Sequence, residues 1–199
     1  MIDRSIRPSV AAFSNVRLDF PKPSVLSCGI PIWVIDGGVE DICQLNVYIT
    51  GGTIHEQMPL QSLLTALMVL EGSKQYDSRE IAELLDYHGA WKLAQNHDAM
   101  CQLTLSAMNE YYQRLLPFVV DGLAQPTFPE HEFEQYKKRY AASYATMQNR
   151  VKYLAAVELR RLYYGAEHPL VADVDPERLM QMSVDDLKQF FAQYYHQAN

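Results

Sequence analysis

Residues 60–76 read LQSLLTALMVLEGSKQY, and the fold turns on how this stretch is taken. Between Leu60 and Leu70 the polar side chains are Gln61, Ser62 and Thr65, which fall within ~100° of one another at the helical period, and every other residue is hydrocarbon. This spacing predicts a largely buried helix over 60–70, with Gly72 in the C′ position that closes it.

Working outward, strand signals precede the helix. Ile32–Asp36 (IWVID) ends in Gly37-Gly38, and Cys43–Thr50 alternates apolar and polar residues before Gly51-Gly52, so the two runs read as an antiparallel pair joined by a polar turn. The first ~25 residues are punctuated by Pro and Ser and read as a surface arm. After the helix, Asp77-x-x-Glu80 opens a second helix to about Tyr87 that Gly89 stops. Ala90–Gln95 and Met100–Ala107 read as strands around the turn Asn96-His97-Asp98. Asn109–Ala124 has helical spacing with Pro117 inside, which costs a hydrogen bond and predicts a kink. Three more helices follow: Glu130 to about Gln148, with Phe133, Tyr136, Tyr140, Tyr144 and Met147 on one stripe; Val151–Tyr164; and a last one capped by Ser183-x-x-Asp186 and running to about Tyr195. Strands in two groups with helices between and after them predict an α+β fold: two layers, a mostly antiparallel sheet covered on one face by helices. The domain division predicted is an arm over 1–25 and a single domain over 26–199.

Composition removes several function classes. The 199 residues carry 17 Lys+Arg against 24 Asp+Glu, a net charge of −7, with no extended basic stretch, so nucleic acid is not an expected partner. No apolar run approaches the roughly 20 residues that span a bilayer, and MIDRSIRPSV has no apolar core of a signal peptide, so no membrane contact and a cytoplasmic location are expected. The three cysteines, Cys28, Cys43 and Cys101, are odd in number and widely spaced, which predicts reduced, buried thiols.

No P-loop, G-x-G-x-x-G or G-x-S-x-G motif is present. His55-Glu56 and His131-Glu132 each begin like H-E-x-x-H and lack the second histidine, so each reads as a solvated pair. His88, His97 and Asp98 flank the 90–95 strand and are a candidate relocated metal site for a weak metallohydrolase. The pairs Tyr111-Tyr112, Tyr163-Tyr164 and Tyr194-Tyr195 suit either a half-exposed docking surface or an amphipathic core edge.

Several pieces recur in a recognisable order: Cys28-Gly29-Ile30-Pro31-Ile32; Gly52 to Glu56 as G-x-x-x-E; Met68 to Tyr76, ending a helix at Gly72-Ser73; Glu80 to Ala90 as E-I-x-x-x-L-x-x-x-G-A; Pro126-Thr127-Phe128; and His168-Pro169 followed by Asp186 to Tyr195. Over residues ~25–196 this order resembles the N-terminal domain of the pitrilysin/insulin-degrading-enzyme family of zinc metallopeptidases, which includes the mitochondrial processing peptidase subunits. In active members the helix before Gly-Thr carries H-x-x-E-H, two zinc-binding histidines and a general-base glutamate. Counted back from Gly72-Ser73, those places hold Leu63, Ala66 and Leu67, and the downstream glutamate ligand falls at about Ser143. None of these four side chains supplies a metal ligand or a base, so the resemblance implies a non-catalytic member with no cofactor.

The family further implies a clamshell of two similar domains or subunits, one of them bearing zinc. The expected partners are therefore a second peptidase-like domain, within a chain that continues beyond Asn199, or an active subunit; a second copy is a further candidate. It also implies an extended peptide laid along the edge strand Trp91, Lys92, Leu93, Ala94 and Gln95, with Leu93 where the catalysts have Asn. An edge strand guarded by the charge of Lys92 is the plainer reading of the same residues. Besides the metallohydrolase, a binding module unrelated to proteolysis is the remaining alternative.

Overall fold

A computed structural model describes residues 20–196. The chain divides after Gly37 into two compact units. In the first, β1 (Ser24–Val25) pairs antiparallel with β2 (Pro31–Ile32) across a turn in which Gly29 takes φ 89°. Residues 33–37 have no regular structure. The predicted antiparallel pairing of 32–36 with 43–50 is therefore not formed: Ile32 pairs with Ser24, and the 43–50 run takes its partner from much later in the chain. The part of the predicted arm over residues 1–19 lies outside the described residues.

The second unit is built on a three-stranded antiparallel sheet of order β3-β5-β4, with β3 Ile42–Thr50, β4 Trp91–Asn96 and β5 Met100–Met108. The register sets Ile49 opposite Cys101 and Leu45 opposite Leu105 on one side, and Ala94 opposite Leu103 on the other. Because side chains alternate across a strand, this register sends Leu45, Val47, Ile49, Cys101, Leu103, Leu105 and Ala94 to one face, and all of them lie in or against one hydrophobic core. The expected two-layer α+β arrangement is what forms: helices cover that face and no described helix covers the other.

The helices are α1 Gln61–Val69, α2 Ser78–Tyr87, α3 Asn109–Ala124, α4 Glu130–Met147, α5 Val151–Tyr164, α6 Pro176–Met180 and α7 Val184–Tyr194. Asp77 and Glu80 form the capping box of α2, and Ser183 and Asp186 that of α7. α3 runs through Pro117 as one continuous helix. Short α6 is an element that periodicity alone did not reveal.

α1 explains its own composition. Ala66, Val69 and Leu70 pack into the core under the sheet, while Leu60, Leu64 and Met68 enter a second core with Phe133, Leu179 and Leu187 from the later helices and Phe128 and Met182 from the loops before α4 and α7. A helix between two cores is apolar on nearly its whole circumference. Its few polar residues are buried as well: Thr65 Oγ1 donates to Gln61 O (2.8 Å) and Gln61 Nε2 to Asp186 O (2.9 Å). Gly72 is not the left-handed residue expected at C′. The helix stops at Val69 with Leu70 as its cap, and Gly72 is required because a Cβ there would come within 2.8 Å of Thr127 Oγ1. Thr127 N donates to Gly72 O (3.1 Å) across the same contact.

Candidate functional site

α1 begins without a capping residue of its own. Leu60, its N-cap, sits in the left-handed region at φ 62°, and the exposed helix N–H groups are met by Glu56, four residues upstream. One carboxylate oxygen accepts from Leu60 N (3.2 Å); the other accepts from Ser62 N (3.1 Å), Ser62 Oγ (2.6 Å) and Asn96 Nδ2 (3.2 Å), the last from the end of β4. A carboxylate at a helix N-terminus meets both unpaired donors and the positive end of the dipole. Burial nonetheless raises its pKa, and the hydrogen bonds from Ser62, Leu60 and Asn96 only partly oppose this. His55-Glu56 is thus not a solvated pair: Glu56 ties the start of α1 to the sheet, and the His55 ring lies 5.0 Å from that of Tyr194. The pattern that marked Glu56 was G-x-x-x-E at Gly52–Glu56; its partner Asn96 carried no signal. His131, by contrast, is exposed.

The cleft that α1 and β4 frame is lined by Leu67, Leu70, Ala94 and Tyr136, with a volume near 80 Å³. Lys92 points from β4 toward α1, where its Nζ donates to Leu70 O (2.6 Å), at the negative end of the helix, and lies 3.1 Å from Glu71 Oε2. Tyr136 Oη from α4 donates to the other Glu71 oxygen (2.6 Å), and the Arg139 guanidinium sits 4.3 Å above the Tyr136 ring. Burial lowers the Lys92 pKa, with Glu71 opposing it, and burial raises that of the Tyr136 phenol, aided by its bond to Glu71. The Glu71 carboxylate is held between an ammonium and a phenol, an arrangement that braces α1, β4 and α4 together and offers no free base.

Leu63 and Leu67 are half-buried one turn apart on α1, Ala66 is fully buried beneath them, and Ser143 is exposed on α4. Two isobutyl groups, a methyl and a hydroxyl do not make a zinc-binding donor set. Among the described residues no group of three or more His, Cys, Asp or Glu is arranged to hold a metal ion.

The candidate site of His88, His97 and Asp98 does not assemble. His88 precedes β4 and is buried between the rings of Tyr87 (4.9 Å) and Tyr111 (4.7 Å). His97 and Asp98 follow β4, at the far end of a strand that spans ~20 Å. They line an open hollow with Tyr48, Met100 and Gln102 instead. The cysteines are free, but Cys28 is exposed and Cys43 half-buried, against the expectation of buried thiols. Cys101 alone is enclosed, and burial pushes its thiol up to about 12.

β4 lies at an edge of the sheet and pairs only with β5 among the described residues. Lys92 and Ala94 turn toward the helices, and Trp91, Leu93 and Gln95 toward the open face. No helix of the described residues is long and apolar enough to cross a membrane.

No curated protein matches this chain. Among solved structures it is similar to the crystal structure of a peptidase M16 inactive domain from Pseudomonas fluorescens, with a TM-score of 0.75 at 22% identity; the match covers 85% of this chain and 42% of that one. This chain therefore spans less than half the length of that structure, and the likeness is one of fold. The family model for insulinase, peptidase family M16, matches residues 34–165, which takes in the whole sheet, the helix between the two cores and the cleft beside it. By that match the chain belongs to the insulinase family of peptidases, M16.

Proposed function

We propose that this chain is a non-catalytic M16 domain that pairs with a second peptidase-like domain or an active zinc-bearing subunit and contributes wall and substrate contacts to a shared chamber. The observation that carries the reading is the aliphatic face of α1: Leu63, Ala66 and Leu67 stand where active members of the family place H-x-x-E-H, and Ser143 stands near the place of the third ligand. Charged groups clustered there without a cation would be costly, whereas hydrocarbon fills the space favourably. Leu67 packs against both cores. The Lys92–Glu71–Tyr136 brace supports the reading further, because it ties together the three elements around the cleft with protein groups alone.

In this proposal the edge of β4 receives an extended peptide by main-chain hydrogen bonding, its inward side chains resting on Ala94 and Leu67. Incubation of the purified chain with zinc and quenched fluorescent peptides gives no hydrolysis above buffer, and turnover abolished by a chelator would refute the proposal. Pairing is checked by co-purification with an H-x-x-E-H subunit encoded in a neighbouring reading frame; the two proteins elute together if the chamber is shared.

A further inference from the structure

α5 packs on the rest of the second unit along one side only. Val157 is its buried residue, Tyr153 is half-buried with its ring 6.4 Å from that of Tyr144, and Asp173 accepts from Tyr153 Oη on the same side. The opposite side faces solvent and is hydrocarbon. At the helical period Val151, Ala155, Leu159 and Leu162 fall within ~80° of one another, and with Tyr163 they form a stripe ~16 Å or more in length. Exposure is 82% at Val151, 67% at Leu159, 84% at Leu162 and 79% at Tyr163. The charge of this helix runs against that of the chain. From Arg150 to Tyr164 there are four basic residues and one acidic one, Glu158, which Arg161 neutralises at 2.6 Å, whereas the whole chain carries −7. Lys152 borders the four aliphatic positions on one side, and the Glu158–Arg161 pair borders them on the other.

We infer that α5 docks on an anionic lipid surface, lying in the plane of the interface with its hydrocarbon stripe toward the acyl chains. A contiguous row of exposed hydrocarbon marks a site of interaction, and the surplus of positive charge on the same helix selects a negatively charged occupant. The stripe runs along the crest of a helix. The hollow at Tyr48 and the cleft at Leu67 both lie away from it, so α5 offers no groove for a partner's helix or peptide to enter. Lipid chains conform to a convex row, and the long side chains of Lys152 and Arg161 reach from its borders to the headgroups. The chain's net charge does not oppose this contact, because at physiological ionic strength charges are screened over ~8 Å and headgroups against α5 meet the charge of α5 itself. The expectation of no membrane contact rests on the missing spanning run, which a helix lying in the interface does not need. A stripe of this length gives a weak and reversible attachment. The inference goes beyond the proposed function, because it requires neither a zinc-bearing subunit nor a peptide.

The test is flotation of the full 199-residue chain with vesicles of phosphatidylcholine alone and of phosphatidylcholine with about 30% phosphatidylglycerol. The chain is expected to float with the anionic vesicles, about tenfold or more tightly than with phosphatidylcholine alone, and to bind them less at about 1 M salt, where charges are screened over ~3 Å. Leu159→Glu and Leu162→Glu, both at exposed positions outside the cores, each weaken binding by about tenfold or more. Lys152→Glu weakens it as well. Leu162→Trp reports the contact directly, because an indole at that position enters apolar surroundings and its emission shifts to the blue on the anionic vesicles. A chain that floats with neither kind of vesicle overturns the inference and leaves the stripe to a protein partner. Equal binding to both compositions overturns it too, as does binding indifferent to both glutamate substitutions on the stripe, or an indole at 162 whose emission stays that of water.

Discussion

Glu56 is the residue whose role was least visible in sequence and whose loss is easiest to measure. Along the chain it neighbours His55, and the two look like a surface pair. In the fold it receives four donors, one of them from Asn96, forty residues away. No local pattern encodes such a partner, because the contact exists only once β4 has docked beside α1. Burial raises the Glu56 pKa above its unfolded value, so the folded state holds the proton more tightly than the unfolded chain. The associated stabilisation is present below about pH 4.3, the ordinary value of a glutamate, and is lost as pH rises through the raised folded-state pKa. Glu56→Gln has no proton to lose and flattens that part of the stability–pH curve. At neutral pH the variant offers one acceptor oxygen to the donors that two oxygens now serve, and it is less stable by about 1–3 kcal/mol. Urea unfolding at several pH values checks both effects, and a variant with the slope of the parent protein contradicts the first.

At the scale of elements, what was legible followed from signals carried within the element itself. The helices at 78–87 and 184–194 announce themselves by capping boxes, and those at 109–124, 130–147 and 151–164 by apolar period, so their bounds agree with the structure to within a residue or so. Partner choice was not legible. The 43–50 run has an apolar neighbour at 32–36 a short turn away, yet its strand pairs with Met100–Met108, since an alternating pattern specifies a face and not a partner. Close approaches of backbone were equally hidden. Gly122 lies inside α3, where propensity alone makes Gly→Ala favourable by roughly 1 kcal/mol. In the fold a Cβ at Gly122 would land on the carbonyl oxygen of Val69, at the C-terminal end of α1. Backbone cannot rotate aside as a side chain does, so Gly122→Ala is expected to destabilise by about 1–3 kcal/mol through overpacking. Thermal unfolding decides between the two signs, and a raised midpoint would mean that α1 and α3 are not this close.

At the scale of the whole molecule the second unit holds together around α1, the helix that the proposed function reads as a vacant metal helix. Its two cores meet on α1, the cleft between α1, β4 and α4 is braced by Lys92, Glu71 and Tyr136, and Glu56 ties the start of α1 to β4, so the unit has its cohesion from hydrocarbon and from protein hydrogen bonds. Stability should then be indifferent to metal: zinc and chelators leave the unfolding midpoint of the parent chain unchanged. The double variant Leu63→His/Leu67→His sharpens this into a positive test. The two positions lie one turn apart on α1 and are both half-buried, so paired imidazoles there can bind one cation in the manner of an i, i+4 chelate. Removing the two leucines lowers stability without metal, because Leu67 packs against both cores. A ligand that binds only the folded state restores it, by ~2.7 kcal/mol at 100 times its dissociation constant. The expected result is a midpoint that falls in the variant and climbs again with added zinc, beside a parent protein that does not respond. A variant equally blind to zinc would show that the two side chains do not converge, and with them would go the placement of the vacant metal helix at residues 63–67.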